Sequence, residues 1–135
     1  MPDAPLPADV AALLARPNPA VMATLASDGR PVTVATWYLL EPDGTLLLNL
    51  DAGRARLAHL RRDPRVSLTA LDESWYTHVS VQGEVASITD DPELVDIDRL
   101  SQHYTDRAYP VRDRPRVSVH VRVDRWHGWG AARRS

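Results

Sequence analysis

Cysteine, lysine and phenylalanine are all absent from the 135 residues. Without cysteine there is no disulfide framework, thiol nucleophile, iron–sulfur cluster or cysteine-based zinc site. Without lysine there is no Schiff-base chemistry and no Walker-type phosphate lysine, so any fixed side-chain cation is an arginine. Long apolar runs are also missing. No stretch approaches the roughly 18 residues of a membrane span, and the opening MPDAPLPADV has neither the basic nor the apolar segment of a leader. A soluble, cytoplasmic protein is the expectation. The five histidines, at positions 59, 78, 103, 120 and 127, show no ligand spacing, so no metal is assigned. No G-x-S-x-G occurs, and Ser80 and Ser118 read as outward-facing residues on alternating strands. The formal net charge of −2, with no recurrent basic stripe among aromatics, disfavours nucleic acid.

Against that acidic balance, Arg54, Arg56, Arg61, Arg62 and Arg65 fall within the segment DAGRARLAHLRRDPRV. Charge runs are commonly solvated helix faces. Two features favour a ligand. Gly53 permits close backbone approach, and Arg54 and Arg56 sit at the positive end of the helix predicted to follow, where cations are unfavourable without an anion. A guanidinium fork suits phosphate, and helix N-termini bind phosphates well. Arg61, Arg62 and Arg65 read as surface.

The chain suits one domain over 1–135, with its core at about 7–130 and no room for a separate cofactor domain. A short helix is predicted over Pro7–Leu14, with Ala8, Val10, Ala11 and Leu14 inward. Strands follow at Ala20–Ala26, Pro31–Leu40 and Thr45–Leu50, joined by turns at Ser27–Arg30 and Glu41–Gly44. Strand–loop–helix geometry is expected across the arginine segment. Period-two alternation gives further strands at Val66–Ala70, Val79–Val85 and Val117–Val123. Between the last two, Asp91 as N-cap and Pro92 at the first turn open a helix whose Leu94, Ile97, Leu100 and Tyr104 share a face, ending near Arg107. Six strands with peripheral helices indicate a mainly β fold, a small antiparallel barrel. The strand Pro31–Leu40 is apolar on both faces, with Val32, Val34 and Tyr38 opposite Ala35, Trp37 and Leu39. One face therefore meets something beyond the domain core, either a second subunit or a planar cofactor.

In combination, Val21-Met22-Ala23-Thr24-Leu25, Asp28-Gly29-Arg30-Pro31, Trp37-Tyr38, Gly53-Arg54-Ala55-Arg56-Leu57 and Leu60-Arg61-Arg62-Asp63-Pro64-Arg65-Val66 resemble a known family. These are the split β-barrels related to pyridoxamine 5′-phosphate oxidase, particularly small deazaflavin members that use coenzyme F420. The resemblance spans Pro7 to Gly130. It implies a six-stranded split barrel that forms a homodimer with the cofactor at the subunit interface. It also implies that Arg54 and Arg56, with Gly53 and Ala55, hold a phosphate. Thr33, Thr36 and Asn49 then hold the ring and ribityl groups, and Met22, Ala23 and Thr24 press along the cofactor edge. Pro31, Val34, Trp37, Leu50, Leu60 and Trp75 complete the expected cofactor surroundings. The implied chemistry is hydride transfer from reduced F420 to a small conjugated acceptor. FMN is the alternative cofactor, because it offers a similar ring, ribityl chain and phosphate, and a non-catalytic flavin or pigment binder is the alternative class. No catalytic acid stands out, although Tyr76, His78 and His127 are candidate proton donors. The ending Trp126-His127-Gly128-Trp129-Gly130-Ala131 lacks the Arg and His clamp expected for oxidation of vitamin B6.

Overall fold

The computed structural model describes residues 1–132, so the last three residues of the expected domain lie outside the described residues. Helix α1 (Ala8–Leu14) precedes strands β1 (Ala20–Leu25), β2 (Pro31–Thr36), β3 (Leu39–Leu40) and β4 (Leu46–Asp51). Helix α2 (Ala55–Arg62) leads to β5 (Arg65–Leu71) and β6 (His78–Asp90), and helix α3 (Val95–Thr105) leads to β7 (Arg116–Trp129). The strands form one antiparallel sheet in the order β2-β1-β5-β6-β7-β4-β3. Inward residues of all seven strands pack into a single core that α1 and α2 also enter. The two edge strands, β2 and β3, are neighbours in sequence, so the sheet curls almost into a barrel that is linked by the chain rather than closed by hydrogen bonds.

The strand count is thus seven rather than the six expected, because Pro31–Leu40 divides at Trp37-Tyr38. Tyr38 turns fully inward, where its hydroxyl donates to the Leu14 carbonyl at 2.7 Å and accepts from the Asn18 amide at 3.0 Å. Asn18 also donates to the Leu13 carbonyl at 2.7 Å, fastening the end of α1 to this break. Trp37 and Leu39 turn the other way and join an apolar cluster of Leu47, Leu94, Ile97 and Leu100 beneath α3. The second apolar face expected on this strand is therefore met in part by the chain's own helix. The same helix explains why β4 is buried on both faces.

Other departures have local causes. In α1 it is Leu13, not Ala8, that packs inward. Helix α3 begins at Val95 because Leu94 adopts a left-handed conformation at φ 59°. Asp91 still caps it, its carboxylate accepting from the Asp96 and Ile97 amides at 3.2 and 3.0 Å. Strands β6 and β7 run longer than their alternating cores, through register shifts that break the period near Gln82/Gly83 and Val85/Ser87. Gly83 is required at the first shift, since a Cβ there would lie 1.9 Å from the Arg122 carbonyl oxygen. Ser118, expected to face outward, is 1% exposed because α3 covers its side of β7.

Burial pushes the Tyr38 hydroxyl up to about 12 from its ordinary 10.0, opposed by the Asn18 hydrogen bond and by Arg16. The stabilising neutral hydroxyl is intact below the unfolded value, and its contribution is lost as pH rises through the folded value. Tyr38→Phe leaves the Leu14 carbonyl and Asn18 amide short of a partner and should cost about 1–3 kcal/mol in urea denaturation with an unchanged slope. It should also flatten the loss of stability of the native protein between pH 10 and about 12.

Candidate active site

Where β2 leaves the sheet, a cleft of about 600 Å³ opens. Ala20, Val21 and Ala35 of β1 and β2 form its floor. Ile97, Leu100 and Tyr104 of α3 form one wall, continued by Trp37 and Tyr109. Trp37 stacks on Tyr104 with ring centroids 5.3 Å apart and meets Tyr109 edge-on at 6.2 Å. The Tyr104 hydroxyl donates to the Asn18 carbonyl at 2.7 Å, so the aromatic wall is tied to the same network that holds Tyr38. Planar apolar walls of this kind suit a conjugated ring.

Two cations border the same cleft. Arg56, in the first turn of α2, and Arg116, at the start of β7, both line the cleft. The Arg56 Nε is buried without a hydrogen-bond partner, and among the described residues no carboxylate pairs with this side chain. Desolvation, then the charges of Arg54 and Arg116, hold its guanidinium below the usual value. Arg116 is bound by neutral groups: its Nε donates to Asn49 Oδ1 at 2.8 Å, and its Cζ lies 4.9 Å from the centre of the Tyr109 ring. Two guanidiniums facing one cleft with no carboxylate bonded to either are suited to an anion. The nearby Asp51 faces Arg116 across the β4–β7 ladder, and the Gly53 amide first, then the charges of Arg114, Arg116 and Arg54, hold its carboxyl below the usual range. It pairs with Arg114 at 2.8 Å and accepts from the Gly53 amide at 3.0 Å.

The donor set fits a phosphate-bearing flavin or deazaflavin, with an orphaned guanidinium for the phosphate and stacked aromatics for the ring. The family model described as Pyridoxamine 5′-phosphate oxidase matches residues 6–130. The chain belongs to the pyridoxamine 5′-phosphate oxidase family. Among solved structures, an F420 reductase superposes with a TM-score of 0.81 at 26% identity, over 90% of this chain and 98% of that one. Protein Rv2991 of Mycobacterium tuberculosis gives 0.74 at 26% identity, over 94% and 86% of the two chains. General Stress Protein 26 of Bacillus anthracis, at 16% identity with a TM-score of 0.69 over 89% and 90%, shares the fold. No curated protein matches the chain. As a member of the pyridoxamine 5′-phosphate oxidase family, the protein has the split-barrel fold of flavin- and deazaflavin-type oxidoreductases.

Within this family fold, the residues expected at the site separate into groups. Thr36, Trp37, Asn49 and Arg56 come together in the cleft. Gly53, Arg54 and Ala55 are exposed where the chain enters α2. Ala23, Thr24 and Pro31 line a second groove of about 440 Å³ that also holds Arg65 and Gln82. Thr33 is exposed on the β2 edge. Met22, Leu50 and Leu60 are fully buried in the core, with Val34 packed against it, so within one chain they support the site from below. Trp75 is 64% exposed in the β5–β6 connection, stacked on Tyr76. His78 bonds the Trp75 carbonyl at 3.0 Å, and His127 is exposed, stacked beside Trp129. Arg116, Tyr104 and Tyr109 were not among the expected site residues. The one available signal for them was the Arg114-Pro115-Arg116 run directly ahead of the last strand, a second basic cluster that the first had overshadowed.

An unpaired cation beside two others destabilises the empty cleft. Arg56→Met keeps the apolar stem and removes the charge, and it should raise stability by a few tenths to about 1 kcal/mol, kept small by solvent screening of the guanidinium. Thermal melts in low and high salt check this, with the gain shrinking as salt rises.

Proposed function

We propose that the protein is an F420-dependent oxidoreductase that reduces a small conjugated acceptor. The observation that carries this reading is the orphaned Arg56 guanidinium beside Arg116, in a cleft shared with a stacked aromatic wall. The similarity to an F420 reductase along nearly the whole of both chains supports it. Bound there, reduced F420 supplies a hydride from its C5 to an electron-poor acceptor such as an enone, an imine or a conjugated tetrapyrrole. Arg56, whose guanidinium feels the charge of nearby Arg54, would hold the phosphate. Trp37 and Thr36 border the ring, and the α3 wall excludes water from one side. No carboxylate or histidine lines the cleft among the described residues, so in this reading the proton comes from solvent.

The second reading is an FMN-dependent oxidoreductase, favoured by the family match and by a cation pair that serves a phosphate monoester equally well. In either case the working unit is a homodimer. The exposed Val21, Thr33 and Ala35 lie on the outer face of β1 and β2 where the cleft opens, and the stacked pair Trp75 and Tyr76 adds a second exposed apolar surface that a partner subunit would cover. Light scattering should give a dimer, and a monomer that still binds cofactor would contradict this.

Titration with F420 and, separately, FMN, followed by tryptophan quenching at low salt, tests the reading. Micromolar or tighter F420 binding with weak FMN binding is expected, since a ring beside Trp37 quenches strongly. The reverse order selects the FMN reading, and binding of neither removes both. Arg56→Ala should weaken binding by roughly 1.5–3 kcal/mol, and Arg54→Ala by less because that side chain is exposed.

A further inference from the structure

Asn49 lies at the end of β4, 7% exposed, with every polar atom of its side chain engaged. Its Nδ2 donates to Asp91 Oδ2 at 3.0 Å and to Ser118 Oγ at 3.2 Å. Its Oδ1 accepts from Arg116 Nε at 2.8 Å, while its backbone carbonyl accepts from the same guanidinium at 3.2 Å. The amide has one chemically sensible orientation. A carboxylate can only accept and a guanidinium can only donate, so Asp91 draws the nitrogen and Arg116 the oxygen. Ser118 is fixed in turn by donating to Asp96 Oδ2 at 2.7 Å, and Asp91 by the α3 amides it caps. Such a chain of satisfied buried groups is stiff. Its outer end is a guanidinium with no carboxylate partner among the described residues, facing the cleft.

We propose that Asn49 is a positioning residue that aims Arg116 into the cleft as the second cation for the ligand's phosphate. Its effect on the phosphate passes through Arg116, a role beyond the ring and ribityl contacts expected of it as a residue of the cleft lining. The identity of the anion, a phosphate ester on a ring-bearing ligand, rests on the cofactor reading above. The relay itself rests on the hydrogen bonds.

The test uses a ligand pair that differs only in phosphate, FMN against riboflavin, and beside it F420 against its free ring alcohol, which lacks the phosphodiester together with the lactyl-glutamate tail, titrated into the full chain by tryptophan quenching. Inorganic phosphate, read as a thermal shift against chloride at equal ionic strength, serves as the probe without a ring. Asn49→Ala and Arg116→Gln should each weaken the phosphorylated member roughly tenfold and leave the other within about twofold. The double variant should bind no more weakly than either single one, because Asn49 acts through Arg116. Arg61→Ala, on the exposed side of α2, should change neither. Equal loss for both members of a pair, or losses that add, overturns the proposal. Should Asn49→Ala fail to fold, Ser118→Ala removes one contact to the amide and should give a smaller loss confined to the phosphorylated ligand; an indiscriminate loss or none overturns the proposal. A protein that binds neither ring, yet shows a phosphate shift that both variants abolish, sinks the cofactor reading and leaves the relay standing. No phosphate-dependent effect with any probe overturns the relay.

Discussion

The structure depends on a two-residue link. Trp37 and Tyr38 carry the chain from one edge of the sheet to the other, across the gap where a closed barrel would have a ladder. A link so short requires the sheet to curl, and its two side chains must part, one inward and one outward. Tyr38 takes the core side and ties the end of α1 to the gap through Asn18 and Leu14. Trp37 takes the other side and gives α3 its docking surface. The cleft is the space left between that helix and the open edge, so the failure of the sheet to close is what creates a place for a ligand.

Charge placement points the same way. Half of the arginines among the described residues meet a carboxylate: Arg16 with Asp72, Arg30 with Asp28, Arg65 with Asp63, Arg99 with Glu41, Arg112 with Asp98, Arg114 with Asp51 and Arg122 with Glu84. These exposed pairs add little stability individually, but they leave those charges locally balanced. Arg56 and Arg116 are placed differently, half-buried and turned to a common space with no carboxylate bonded to either among the described residues. A chain optimised for stability alone would have paired or replaced them. The neutral contacts of Arg116, an amide and a tyrosine ring, orient the cation without quenching its charge.

Much of this was readable from residue order. Period-two alternation located β5, β6 and β7, and the Gly29 and Gly44 turns, both at positive φ, marked the hairpins of the first strands. The strand–loop–helix unit around Arg54 and Arg56 was legible because glycine, charge and apolar spacing all agreed. What could not be read depended on distant partners. Nothing local to Pro31–Leu40 says that the ladder breaks at Trp37, because the break is set by Tyr38 reaching Leu14. Ser118 follows the alternation of an outward residue, and only the docking of α3 over β7 buries it. Arg116 joins the site through its pairing with Asn49, 67 positions away in sequence, a relation that no local pattern encodes.

That separation has a consequence for how the site comes into being. The cleft draws on β1, β2, β4, α2, α3 and the first residue of β7, and β4 finds its inner neighbour only when β7 pairs with it. Strand pairings that close long loops form late and slowly, since their entropy is lost before their contacts reward it. During synthesis the first five strands can assemble as hairpins and their neighbours while Arg116 is still unmade. The pairing of Arg116 with Arg56 across the cleft is therefore among the last features of the molecule to exist, and any ligand that needs both cations selects completed chains and cannot act as a template for partly folded ones.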